Sequence, residues 1–518
     1  MKISSKIVYL TLIATLSGTQ LRAQKSPNAL EPSSISLNES RRLWQHKGVA
    51  AALTLDSVLH YSTLYLAHRS DQGDFRRPQQ ARSANEQTIA TRGNLNLGQF
   101  YLEGGFKYKR RQLNEVDFNA SLIDPYRGMP FLVADTNSSD WRNQHYTLDF
   151  AVTSPRYKDR WTFGLESQYK ASSGAKQRDI RAENYYYSLY LSPSIMYHLG
   201  KHHLGTSFIY QDTKEESAQS LVNTYVNQQY YTVMGLGHSI AALGGSGLYN
   251  YMGNSRGLGL HYEYSGSVRV LLSGHYKWEV EDVNSSYSSP MPVGSVSRKI
   301  LYANASLFKE DNVRLHRINA IFYQRDMNGI EYVLQRVNRE EENYWDILSK
   351  DVRSTYRTTI SGLNYTFLHK KNVGYKWKFN GGIQYEKIDD RYIIPGSNKK
   401  SETFLYQLGT ERQILLSPHL EQGLMIGLQT SYRQRISANY HYKGNFPEYP
   451  TVTKLENNDL AWMQSDALCL HIPVRYSRKL QENKLSQLYI QAEGSLMKPS
   501  SKIFDKRTSY QVSVGINF

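Results

Sequence analysis

From residue 56 onward, apolar and polar residues alternate in segment after segment. A strand has a period of two, so each such segment sets an apolar face against a polar one. Phe100, Leu102, Gly104, Phe106 and Tyr108 form one apolar row. Tyr146, Leu148, Phe150 and Val152 form the next, followed by Trp161, Phe163, Leu165 and Tyr169. Later rows include Leu258, Leu260, Tyr262 and Tyr264, then Tyr375, Trp377, Phe379, Ile383 and Tyr385. Leu424, Ile426 and Leu428 oppose Met425, Gln429 and Arg433. The last row is Tyr510, Val512, Val514, Ile516 and Phe518. Aromatic residues close many rows, with aliphatic residues or Gly between. That is the pattern of two interfacial girdles around an apolar band.

The connections alternate in length. Short ones fall near Asn94–Gly98, Ser154–Asp159, Leu199–His203, Ser265–Ser267, Lys309–Asn312 and His369–Gly374. Long ones fall near Asn114–Asn143, Lys214–Arg256, Asp326–Ser354 and Ile436–Gln464. Short periplasmic turns with long outer loops are the membrane-barrel pattern. The segments predict an all-β chain: one antiparallel transmembrane barrel of about eighteen strands, with sixteen or fourteen as alternatives. Phe518 is expected to act as an assembly signal and to pair beside residues 56–69. Glu103, Lys107, Asp149, Glu166, Arg269, Lys277, Lys376, Lys378 and Glu386 fall on the polar faces and are the lumen-facing candidates.

The first residues have a different pattern. Lys2 and Lys6 precede an apolar run from Ile7 to Leu16, and Leu21-Arg-Ala-Gln24 offers a cleavage site after Ala23. Residues 1–23 therefore read as a secretory signal peptide. Residues 24–55 do not alternate. Leu37 to Leu53 predicts a helix with Arg41 and Arg42 exposed and Leu43, Trp44, Ala50 and Ala51 buried. This segment is expected to be a plug or a periplasmic element, with a disordered leader as the alternative, and residues 56–518 are expected to be the barrel.

Composition supports a membrane wall made of strands. Mean hydropathy is −0.58, and no apolar run after the leader approaches a spanning-helix length. Only helices and closed barrels satisfy their backbone in lipid. The 41 tyrosines suit interfacial girdles. The net charge is +16, and Lys2, Lys6 and Arg22 leave with the leader. The basic residues are spread over loops and strands, so outer-membrane lipid and lipopolysaccharide are the expected partners, and nucleic acid is not. Cys469 is the only cysteine, so no intramolecular disulfide forms.

Candidate chemistry is sparse. His60 and Ser62 share one face of the first strand, as a lipid hydrolase would need, but two residues at this spacing often arise by chance, and an interior polar pair is the plainer expectation. His202 and His203 fall in a short turn with no carboxylate at metal-site spacing. Asp212, Glu215 and Glu216 lack the Gly and bidentate Glu of a calcium loop. Gly244-Gly245-Ser246-Gly247 has no following Lys-Ser/Thr, so it is no phosphate cradle. Cys469 and His471 share an inward face, and Pro473 predicts a bulge or a frayed strand end. No catalytic, cofactor-binding or metal-binding residue is expected, and no cofactor.

The signal end Leu21-Arg-Ala-Gln24, the tyrosine-rich strands, Arg41-Arg-Leu-Trp44 and Gly48-Val-Ala-Ala-Ala-Leu-Thr-Leu-Asp56-Ser resemble an uncharacterised outer-membrane barrel family of Bacteroidota. The resemblance implies residence in a bacterial outer membrane, folding by the barrel assembly machinery, and proximity to TonB-dependent receptors or surface lipoproteins. It supplies no catalytic residues. Two functions follow as expectations. One is solute uptake or passage, as a channel or as an accessory to a receptor complex. The other is a structural or assembly barrel with a filled lumen that binds partners through its outer loops. A packed plug favours the second, and an open path favours the first.

Overall fold

A computed structural model describes residues 31–45, 47–56, 59–244, 247–286, 290–338, 343–417, 422–480 and 486–518. Residues 1–30, on which the expected signal peptide falls, and the Gly245-Ser246 pair lie outside the described residues. The chain opens with helix α1 (Pro32–Arg41) and a tight helical turn (Ala50–Leu55). The first strands are β1 (Ser62–Gly73), β2 (Ser83–Leu97), β3 (Phe100–Val116), β4 (Leu132–Asp135), β5 (Ser139–Thr153), β6 (Trp161–Lys176) and β7 (Arg181–Leu199). Next come β8 (His202–Ser220), β9 (Gln229–Gly235), β10 (His238–Leu243), β11 (Gly247–Ser265), β12 (Arg269–Ser285), β13 (Met291–Glu310) and β14 (Arg314–Asn338). Then follow β15 (Asn343–Lys371), β16 (Gly374–Tyr392), β17 (Ser397–Ser417), β18 (Gln422–His441), helix α2 (Asn457–Met463), β19 (Ala467–Lys479), β20 (Gln487–Pro499) and β21 (Arg507–Asn517).

Eighteen of these strands form one antiparallel sheet that closes on itself through β1 and β21. Closure leaves no edge with unpaired backbone groups, as hydrocarbon requires. The seam is tied at its end by Ser62 N–H to Phe518 O at 2.7 Å and Phe518 N–H to Ser62 O at 2.9 Å. Deleting Phe518 removes both bonds and the last apolar residue of its row. The amount of heat-modifiable, folded barrel in the membrane is expected to fall. Unchanged abundance would show that the terminus plays no part in assembly.

The outer face is apolar. Leu258, Leu260, Leu272, Ile426 and Leu428 are exposed there, Leu260 at 75%. On β18, Met425 is buried and Gln429 lines the interior, while Arg433 donates to the Trp462 and Ser465 carbonyls inside. The row on β16 departs from strict alternation. Pairing slips between His369 and Lys370, so Tyr375 and Trp377 sit opposite consecutive residues of β15. Lys376 is the extra residue of this bulge. Tyr375 consequently turns inward and is buried, and Lys376 is exposed.

Pro473 produces neither a bulge nor a strand end. Ile426 pairs with Val474 and Gln429 with His471 in one continuous register, and the two rungs between are missing. Pro193 does the same between β7 and β8, where Leu191–Tyr210 and Ser194–Ser207 flank the gap. A proline removes one N–H from a ladder, and here the neighbouring rungs hold the register.

The long connections are less irregular than their polarity implies. β14 has 25 residues and β15 has 29, more than twice the ~9–11 that cross a bilayer. Asp326–Ser354 is therefore mostly a hairpin projecting outward. Within Lys214–Arg256, β9 and β10 pair with each other, and β9 also pairs with β4. This separate three-stranded sheet lies at the outer mouth.

Candidate functional site in the lumen

Residues 31–56 fill the end of the barrel that carries the short turns. Pro32 starts α1, where a missing N–H costs nothing. The helix ends where Arg42 turns extended. Asp56 then pins the next turn, because its carboxylate accepts the Leu43 and Trp44 N–H groups at 3.0 and 2.9 Å. Gly48 has φ of +73°, a left-handed conformation that breaks a helix and that glycine adopts without steric cost. The long helix expected over Leu37–Leu53 is therefore two short ones. Leu43, Trp44, Ala50, Ala51 and Ala52 are fully buried. The turn at Ala50 lies directly on the wall: a methyl group at Gly164 of β6 would overlap the Ala51 backbone nitrogen.

Charged pairs lock this segment to the wall. Arg42 pairs with Glu103, which also takes Arg92 at 2.8 Å. Arg42, expected at the surface, is buried because its carboxylate partner comes from a strand remote in sequence. Arg41 meets Glu310 at 2.6 Å, as does Lys370. Arg269 bridges Asp56 at 3.0 Å and Glu263 at 2.8 Å, and the Trp44 indole N–H also donates to Glu263. Gly48 N–H donates to Glu166. Burial lowers the Lys47 ammonium to about 8, with Arg317 adding to the shift.

Beside the plug remains a chamber of about 480 Å³, lined by Glu39, Tyr61, Arg92, Lys107, Asp149, Lys378, Glu411, Arg475 and Glu493 among others. Lys107, Asp149 and Lys378 thus come together here, while Glu103, Glu166 and Arg269 hold the plug. Lys277 lies along the wall and bonds Gln211 and Glu279, each at 3.2 Å. Glu386 sits near Arg433. Lys376 joins none of these groups. Arg42, Asp56, Glu263 and Glu310 carry the lock and were absent from the sequence candidates. The Arg41-Arg42 pair beside a buried Trp44 was the one local signal.

The outer end is closed by loops. Phe118, Leu122, Met129, Phe131, Tyr231, Val233 and Leu455 form an apolar cluster with Tyr251, Val283 and Val296 of the wall. Arg127 reaches Glu215 at 2.5 Å and Glu281 at 2.9 Å. Arg77 meets Asp459 at 2.6 Å, stacks over Tyr126 at 4.4 Å, and shares Asp459 with Lys399 at 3.0 Å. Burial alone would raise the Asp459 carboxyl, but Lys399 and Arg77 hold it well below its ordinary range. The resulting stabilisation is full above the ordinary carboxylate value and fades as acid approaches the folded one. The outer loops are therefore expected to resist protease at about pH 7 and to be cut progressively faster by an acid protease only as the pH falls below about 4, and Asp459→Asn should open them at neutral pH. Equal cleavage of both proteins at neutral pH would contradict this.

The remaining candidates are structural in their contacts. The His60 ring bonds Asn94 and Asn96, each at 3.2 Å, rather than Ser62. His203 is buried rather than solvated: it lies at the start of β8 and meets His198 at 2.9 Å. Glu215 is taken up by Arg127, the Ile123 N–H and Asn184.

An apolar outer face, a polar lumen and a seam without an edge define a closed β-barrel of the outer-membrane type. The chain belongs to DUF6850, a family of unknown function, which matches residues 50–518. No curated protein matches it. Among solved structures it is similar to BauA, the ferric preacinetobactin receptor from Acinetobacter baumannii, at 9% identity and a TM-score of 0.41, covering 89% of this chain and 80% of that one. The outer membrane transporter YddB from Escherichia coli matches at 9% identity and 0.38, over 88% and 81%. A Pseudomonas aeruginosa FadL homologue matches at 11% identity and 0.35, over 90% and 91%.

Proposed function

We propose that this protein takes part in solute passage across the outer membrane as a gated barrel, closed at rest by residues 31–56 and by its outer loops. The observation that carries this reading is the chamber beside the plug. A plug that served only to fill the barrel would bury apolar surface throughout. Here the segment is fastened through hydrogen bonds and ion pairs and leaves a polar space with charges of both signs. Mixed charge suits small polar or zwitterionic solutes better than ions of one sign. Proteoliposomes tested with neutral sugars of graded size provide the assay. The intact chain should hold them out, and the Glu103→Ala variant should admit the smaller ones. Exclusion of every solute by both proteins would sink the proposal.

A second reading is a partner-binding barrel, as a structural element or as an accessory to a receptor or surface lipoprotein. The closure of both ends favours it. Purification from native outer membranes separates the two: a stoichiometric partner together with a sealed Glu103→Ala variant would favour this second reading.

A further inference from the structure

The lipid-facing wall carries a groove of about 820 Å³, lined mostly by apolar atoms. It crosses β6, β7, β8 and β11 to β14. One row of the ladder that runs along it is Trp161–Tyr197–Leu204–Tyr262–Leu272–Ala305–Ala320. The row changes depth as it goes. Trp161 is the first residue of β6, at the short-turn end. Ala305 and Ala320 lie well inside β13 and β14, whose short-turn ends are Glu310 and Arg314. The groove thus rises obliquely from the periplasmic interface into the hydrocarbon. Its shallow end is aromatic, with the Trp161 and Tyr197 rings 4.6 Å apart. Its deep end is floored by Gly274, Ala303, Ala305 and Ala320.

The two turns at the shallow end are cationic. Arg156, Lys158 and Arg160 lie between β5 and β6, and Lys201 lies between β7 and β8. All four are exposed, and Asp159 is the one acidic residue in these turns. The Arg160 carbonyl accepts the His198 N–H at 2.8 Å, which ties the first turn to β7. The turns at Leu97–Phe100 and Ser265–Val268 carry no charge, and Asp311 makes the next one acidic. Positive charge is therefore placed at the one end of the groove that meets the head-group layer.

We propose that this groove binds an anionic glycerophospholipid of the periplasmic leaflet, with its phosphate among Arg156, Lys158, Arg160 and Lys201 and an acyl chain over Gly274 and Ala303. Charge and shape agree on the occupant. A water-soluble anion has no use for the apolar trough, and a partner helix has no use for cations at one end only. Cations near an anionic surface add attraction, and the aromatic pair suits the interface.

The full mature chain in nanodiscs of equal palmitoyl-oleoyl phosphatidylglycerol and phosphatidylcholine tests this. After transfer to mild detergent, native mass spectrometry reads the lipid retained. Phosphatidylglycerol should be favoured by roughly five-fold or more. The preference should disappear in the variant with Arg156→Gln, Lys158→Gln, Arg160→Gln and Lys201→Gln. It should also disappear in Gly274→Leu with Ala303→Leu, which fills the groove but keeps the outer face apolar. Heat-modifiable migration confirms that both variants fold. Equal retention of the two lipids by the intact chain would overturn the proposal. So would a preference that survives filling of the groove, which would mean general surface attraction. A dimer that filling abolishes would assign the groove to a second copy instead.

Discussion

Replacing Ile426 by Arg should cost about 2–4 kcal/mol of barrel stability, and the same change at Gln429 should cost much less. Ile426 is exposed on the outer face, in the middle of an apolar row, where an arginine would have to shed its hydration into hydrocarbon. Gln429 lines the wet chamber, where a cation finds Glu411 and Glu493 on the same lining. Urea titration of the heat-modifiable form reads the difference as a shift in midpoint. Equal costs would mean that the faces are exchanged, since a slip of one residue moves every side chain to the other side.

The wall was legible because its signal is local. A period of two over a few residues places Leu424, Ile426 and Leu428 outside without reference to any other strand, and the rows on β11 and β12 follow in the same way. The bulge at Lys376 was not legible. It arises from how β15 and β16 meet, so the expectations that Tyr375 faces lipid and that Lys376 faces the lumen both failed there. The lock on the plug was hidden for a similar reason. Arg42 reads as a surface residue until Glu103 and Arg92 are brought to it by the closing of the barrel. Aromatic and charged residues together made the outer segments read as loops. The pairing of β9 with β4 depends on contacts between loops remote in sequence, which no local pattern encodes.

The plug carries the second large effect. Glu103 has only about 6% of its side chain exposed and Arg42 about 1%. Removing one partner of so buried a pair leaves an uncompensated charge and costs about 3–5 kcal/mol. Glu103→Ala should therefore loosen residues 31–56 while every strand stays in place. Arg92 would lose its contact with Glu103 in the same change. The effect should appear as faster cleavage of the segment by added protease and as current through the barrel.

Current through single barrels in planar bilayers tests most directly whether residues 31–56 close the lumen. The intact mature chain should show low conductance. Glu103→Ala should give intermittent openings, and removal of residues 25–55 should give a larger and steadier current. A large, stable conductance in the intact chain would contradict the account, and so would a truncated chain that folds and conducts no more than the intact one.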